Sequence, residues 1–142
     1  MTFLAFTGLI NGVCSASLGV YVLLKNIKRT VNRIYFIFDI SIAIFSFGYF
    51  FWQLSSNTED ALFWFHILAV GIIYINITFL HLVFYLLDLV AQKRKLLVVC
   101  YLINTFFAFF NFSGLLYPTV VPRYDFGFWP VPTKLFMVYL PF

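Results

Sequence analysis

Few side chains in this sequence could take part in acid–base or metal chemistry. The 142 residues include only two histidines and five acidic residues. His66 and His81 lie 15 positions apart, which is about 22 Å along a helix, so the two imidazoles cannot bind one metal ion or one haem iron. The spacing of four residues that zinc hydrolases use on a helix is absent. We therefore expect no catalytic residue, no metal and no cofactor.

Three polar side chains, Asp39, His81 and Asn104, form the more informative set. Each lies six to nine positions from a charged residue that follows or precedes its apolar segment, so the three share a similar depth. A cluster of them would couple helices, because a change in protonation or in hydrogen-bond partner changes helix packing. The spacing gives the depth of each residue but not the direction in which its side chain faces. An Asp39 without a function, which snorkels to the interface or binds a proton, stays open as an alternative. We interpret His66 as an interfacial residue.

The composition shows which elements must position these residues. Hydrophobic residues make up 63% of the chain and charged residues 10%, whereas about a quarter of a soluble domain is charged. About 20 apolar residues in a helix cross a membrane. The sequence thus predicts an all-α integral membrane protein, a polytopic helical bundle in a single membrane domain. The predicted spans are 3–24, 34–54, 61–87 and 96–117, with an incomplete fifth run at 135–142.

Charge placement predicts the orientation of the bundle. Seven of the nine basic residues fall in two loops on one side and two on the other, which places the first side in the cytoplasm and the N-terminus outside. The net charge of +4 therefore indicates topology and not a nucleic-acid partner. The first apolar run has no basic region before it, so we interpret it as a span rather than a cleaved signal peptide. All three tryptophans, Trp52, Trp64 and Trp129, fall at the predicted outer boundary.

The outer loop, residues 118–134, contains the sequence YDFGFWPVP at 124–132. Its prolines disfavour helix, and we expect Gly127 to permit a turn. Aromatic side chains such as Phe128 and Trp129 would dip into the membrane interface. We expect Gly127, Phe128, Trp129 and Pro130 to shape a surface that receives a signal. A plain connector anchored by aromatics is the alternative.

Four short features occur in a fixed order along the chain. They are an Asn-Arg pair at the start of the second helix, an aromatic segment with glycine and tyrosine inside it, a Phe-Leu-His segment in the third helix, and a Gly-aromatic-aromatic-Pro loop. Together they resemble the N-terminal seven-transmembrane sensor region of bacterial histidine kinases, of which this chain would cover about the first four and a half helices. The matching residues are Asn32 and Arg33; Phe45, Phe47, Gly48 and Tyr49; Phe79, Leu80 and His81; and Gly127, Phe128, Trp129 and Pro130.

The resemblance implies a sensory input domain in the plasma membrane and not an enzyme. The family's phosphorylated histidine and its ATP site belong to parts outside this chain, so neither His66 nor His81 takes that role. The implied partners are the lipid bilayer, the downstream helices and a cytoplasmic output domain, with a homodimer left open. Alternatives are a small membrane assembly protein or transporter subunit, or a non-functional gene fragment. The four complete spans contain no proline, so the broken-helix signature of transporters is missing.

Overall fold

Four long helices followed by a β-hairpin form the part of the chain that the computed structural model describes, residues 3–123 and 126–134. All four helices are long and apolar enough to cross a membrane, which confirms the predicted helical, multi-pass membrane bundle. The predicted fifth run at 135–142 lies outside the described residues. The elements are α1 (Phe3–Lys25), α2 (Thr30–Leu54), α3 (Thr58–Leu86), α4 (Val90–Asn111), β1 (Thr119–Arg123) and β2 (Phe126–Val131).

The helices extend beyond the predicted apolar spans where the flanking residues favour helix. The clearest case is the start of α4, at Val90 rather than Leu96; at its other end α4 stops at Asn111, short of the predicted Tyr117. Its first turns contain the sequence QKRK, and glutamine, lysine and arginine are good helix formers. The length of an apolar run locates the part of a helix that crosses the hydrocarbon core, but it does not reveal helical turns made of polar residues beyond that core.

A tight turn at Asp88 reverses the chain between α3 and α4. Asp88 has a φ of 55°, in the left-handed region that aspartate tolerates better than most residues. The amide of Leu89 donates to the carbonyl oxygen of Phe84 over 2.8 Å, and the amide of Asp88 donates to that of Tyr85 over 3.2 Å. This pair of bonds is the Schellman motif that ends many helices. The turn places α4 antiparallel to α3.

The helices pack as a row in which each one lies chiefly against its neighbours in sequence. Glycines allow the backbones of α2 and α3 to approach closely. A methyl group added at Gly48 would lie 2.8 Å from the Cα atom of Leu68, and one added at Gly71 would lie 2.6 Å from that of Phe45. Such small residues are typical of helix contacts in membranes. We call the two ends of the row the basic end, with residues 25–33 and 88–95, and the hairpin end.

The predicted outer loop is not irregular, because its described residues form two antiparallel strands. Val120 is opposite Pro130, and Val121 is opposite Trp129. Proline is tolerated there because a two-stranded sheet has only edge strands. We expected Gly127 to permit a turn, and this prediction is wrong. Gly127 lies within β2, and its φ is outside the left-handed region. The left-handed glycine is Gly114, with a φ of 73°, just after α4.

Candidate functional site

The hairpin closes one end of the bundle, and together with residues 115–117 we call it the cap. Val120 on β1 is 2% exposed and belongs to a buried cluster that also contains Trp52 and Phe65 from the helices. The ring of Tyr117 lies edge-on to that of Phe65, with centroids 4.7 Å apart. Phe128 packs against the same cluster. The cap is therefore part of the core at the hairpin end and not a free connector.

The four loop residues singled out in the sequence divide between the two faces of β2. Phe128 and Pro130 are half-buried on the face towards the bundle, whereas Gly127 and Trp129 are exposed on the other. This alternation is the period of two of a β-strand. Thr133 fastens the base of the hairpin, since its amide donates to the oxygen of Leu116 (3.0 Å) and its hydroxyl to that of Leu115 (2.6 Å).

Beneath the cap, His66 on α3 and Asn111 at the end of α4 form a doubly bonded pair. The amide nitrogen of Asn111 donates to the backbone oxygen of His66 over 2.8 Å, and its side-chain oxygen lies 3.2 Å from His66 Nδ1. Because that oxygen can only accept, Nδ1 carries the hydrogen. Asn111 is 0% and His66 is 7% exposed.

The structure buries the ring of His66 between two helices, whereas its interpretation as a residue of the membrane interface concerns depth and stays a prediction. Asn111 is not among the polar residues singled out from the sequence. Its depth could have pointed to this pair, since His66 and Asn111 both lie near the predicted outer ends of their apolar runs.

Two further polar contacts join α3 and α4 towards the basic end. The hydroxyls of Tyr74 and Thr105 lie 3.2 Å apart, and Nδ1 of His81 lies 3.1 Å from the hydroxyl of Tyr101. With the doubly bonded His66–Asn111 pair they make three polar residue pairs along the length of the two helices, which we call the α3–α4 ladder. Hydrogen bonds of this kind can exchange partners when helices slide or rotate.

The predicted cluster of Asp39, His81 and Asn104 is not joined by hydrogen bonds in the structure. His81 bonds to Tyr101, and the side-chain nitrogen of Asn104 donates to the oxygen of Cys100 in its own helix over 2.8 Å. Asp39 lies instead against α1. His81 and Asn104 thus belong to the α3–α4 interface, whereas Asp39 belongs to the interface between α1 and α2.

The aromatic and glycine residues of α2 divide between its two neighbours. Phe45 and Gly48 face α3, where they meet Gly71 and Leu68. On the other side of α2, the ring of Tyr49 lies against Gly8 of α1. This segment therefore fixes α2 between α1 and α3.

Asn32, at the start of α2, is hydrogen-bonded to the end of α1. Its side-chain nitrogen donates to the backbone oxygens of Val22 (2.9 Å) and Asn26 (3.2 Å). These carbonyls lie at the end of α1, where a helix has no partners of its own for them. Asn32 therefore locks the turn between α1 and α2.

The chemistry available to this arrangement is hydrogen bonding and packing. Across residues 3–123 and 126–134, no group of three or more His, Cys, Asp or Glu side chains could hold a metal ion. The two cysteines are free, with Cys14 exposed and Cys100 half-buried.

Comparison with known proteins relates the chain to a family. No curated protein and no solved structure is significantly similar to the chain. A family model described as the N-terminal 7TM region of histidine kinase matches residues 8–142. That description covers the membrane region of these kinases and not their catalytic part. The match spans nearly the whole sequence, and the chain belongs to the family of N-terminal seven-transmembrane regions of histidine kinases.

Proposed function

We propose that this chain is the sensory input region of a signal-transduction protein in the plasma membrane. A signal acts on the cap, the α3–α4 ladder carries the change to the basic end, and a cytoplasmic output domain responds there. The family match supports this role, because a region at the N-terminus of a kinase is placed to control it. Within the structure, the position of the His66–Asn111 pair is the observation that supports this path.

That pair connects the two parts of the proposed path. It lies at the hairpin end, where the ring of His66 is 5.6 Å from that of Phe112 just before the cap, and it is also the first rung of the α3–α4 ladder. A displacement of the cap would therefore act on a hydrogen-bonded contact between α3 and α4. The described contacts between α2 and α3 are instead close backbone approaches at Gly48 and Gly71.

The energies of the two interfaces favour α4 as the element that moves. Hydrogen bonds between membrane helices contribute only about 0.6 kcal/mol on average and about 1.7 kcal/mol at most. Two packings of α3 and α4 that exchange such bonds can therefore lie close in free energy. The close backbone contacts at Gly48 and Gly71 leave α2 and α3 little freedom to shift, because any change of register brings larger side chains into the crossing.

A ligand can shift such an equilibrium only if it binds the two packings unequally. We assign reception of the signal to the exposed face of β2, which carries Gly127 and Trp129. Phe128 and Pro130 on the opposite face would pass the displacement to the buried cluster. The chemical nature of the signal is left open.

Cross-linking across the basic end tests the path. Cysteines replace Tyr85 and Leu97, one turn beyond the His81–Tyr101 contact, after Cys14 and Cys100 have been changed to serine. The rate of disulfide formation is measured in lipid vesicles. We expect Phe128→Ala, which alters the cap far from the cysteines, to change this rate.

The matched control is Phe109→Ala on α4, since Phe109 is 76% exposed and its loss should leave the rate unchanged. Helix content from circular dichroism checks that each variant is folded. A third variant, Asn111→Leu, removes the first rung of the α3–α4 ladder. Equal cross-linking rates in the parent, Phe128→Ala and Asn111→Leu proteins would contradict the path from cap to basic end.

The output domain has a separate test in the coding DNA that follows the codon for Phe142. We expect the reading frame to continue through further apolar spans into a kinase domain. A stop codon with no neighbouring gene for a membrane partner would remove the proposed output.

A further inference from the structure

A single carboxyl group is buried between α1 and α2. Asp39 is 4% exposed, and its Oδ2 atom has no hydrogen-bond partner in the described part of the chain. The covering element is α1 at Gly19, where an added methyl group would lie 2.8 Å from Asp39 Cβ and 3.4 Å from Oδ2. Glycine at this position lets α1 lie directly over the carboxyl group.

Among residues 3–123 and 126–134, no positively charged side chain is paired with Asp39. On its own helix, the phenol of Tyr35 one turn earlier is the titratable group that interacts with it. Arg33 is exposed and bonds to Thr30. On α1, Lys25 lies over the ring of Tyr21.

The third helix supplies no charge to this site either. His81 of α3 is bonded to Tyr101 of α4, and α3 meets the neighbouring part of α2 through the rings of Phe79 and Phe38. An ionised carboxylate in such a place would be buried without a counter-ion, which is strongly unfavourable. A protonated carboxyl group is neutral and avoids that cost.

We propose that Asp39 is a proton-binding site whose occupancy is coupled to the packing of α1 on α2. While α1 covers it, the carboxyl group holds a proton at neutral pH. When α1 moves away and water enters, the O–H bond breaks, the proton passes to water, and the carboxylate remains hydrated. Low pH therefore favours the packed arrangement. This site goes beyond the proposed signal path, which uses α3 and α4, so either can fail alone.

Infrared spectroscopy of the whole chain in lipid vesicles tests the protonation. We expect a carbonyl stretch from a protonated carboxylic acid at neutral pH in the parent protein and its loss in Asp39→Asn. Glu59→Gln is the matched control, because Glu59 is exposed at the start of α3 and its loss should not affect the band. The proposal is overturned if the parent lacks the band at neutral pH or if Asp39→Asn retains it.

A second pair of variants tests the coupling to α1. Gly19→Ala forces α1 away from Asp39, so we expect the amplitude of the band at neutral pH to fall. Gly12→Ala also enlarges α1 against α2, but its methyl group meets the ring of Phe47 and should leave the band unchanged. Equal amplitudes in the two variants would overturn the coupling.

Hydrogen exchange gives a measurement that does not depend on those variants folding. We expect the protection of α1 amides in the parent protein, corrected for the intrinsic effect of pH on exchange, to fall as pH rises. Asp39→Asn should lose this dependence, because its amide side chain does not ionise. The same pH dependence in both proteins would contradict the proposal.

Discussion

Replacing Asn111 with leucine removes the first rung of the α3–α4 ladder while keeping a side chain of similar size. Asn111 is fully buried and makes two contacts with His66, at 2.8 Å to its backbone oxygen and at 3.2 Å to Nδ1. Leucine makes neither. The backbone oxygen lies inside α3 and keeps its helical partner, whereas the Nδ1 hydrogen loses its acceptor.

The loss of stability in Asn111→Leu comes chiefly from the Nδ1 hydrogen of His66, which is left without an acceptor. A buried donor left without a partner costs about 1–3 kcal/mol, and a hydrogen bond lost between membrane helices costs about 0.6 kcal/mol on average. We expect Asn111→Leu to lower the free energy of unfolding by about 2 kcal/mol. The double variant with His66→Leu has no stranded donor, so its loss should be smaller than the sum of the two single losses by about 1 kcal/mol.

Reversible unfolding in mixed micelles, titrated with a denaturing detergent and followed by circular dichroism, measures these free energies. Thr105→Val is the control, because it removes a single contact, with Tyr74, that lies at an exposed position; its cost should be no more than about 0.6 kcal/mol. A loss below about 0.5 kcal/mol for Asn111→Leu would refute the reasoning. So would single losses that add within about 0.3–0.5 kcal/mol.

The same titration checks three other expectations. Gly71→Ala should cost about 1–3 kcal/mol, because the new methyl group would meet the backbone of Phe45, whereas Gly127→Ala has open space around it and should change stability by less than about 0.5 kcal/mol. Asp88→Val should cost about 1–2 kcal/mol because a branched residue is strained at a φ of 55°, and Asp88→Gly should not destabilise the protein. Asn32→Ala should cost about 0.5–1.5 kcal/mol by leaving two carbonyls at the end of α1 without their side-chain donor, and hydrogen exchange should increase at that turn.

Much of the fold follows from the sequence because hydrophobicity over a length of about 20 residues is nearly sufficient to define a membrane helix. The hairpin does not follow in the same way. A lone two-stranded hairpin is marginally stable in water, and this one gains its stability from contacts such as that of Val120 with the buried cluster of the bundle. Those partners come from distant positions in the chain. Local sequence shows only that the prolines disfavour helix.

The candidate site shows a similar limit. Spacing from the charged loops gives the depth of a polar residue, but helices that are apolar on most sides carry little information about which side faces which neighbour. Asp39 and His81 have similar predicted depths, yet one faces α1 and the other faces α4. The burial of His66 depends in the same way on Asn111, 45 positions later.

The row-like packing of the helices has a consequence for how the protein is made. Since each helix packs against the helices that precede and follow it in sequence, every helix after α1 meets part of its packing surface already in place when it leaves the ribosome. Contacts between near neighbours in sequence form quickly, and domains fold in order during synthesis. The four described helices can thus be added one at a time, and the hairpin, which needs α2, α3 and the end of α4, can pack only after them.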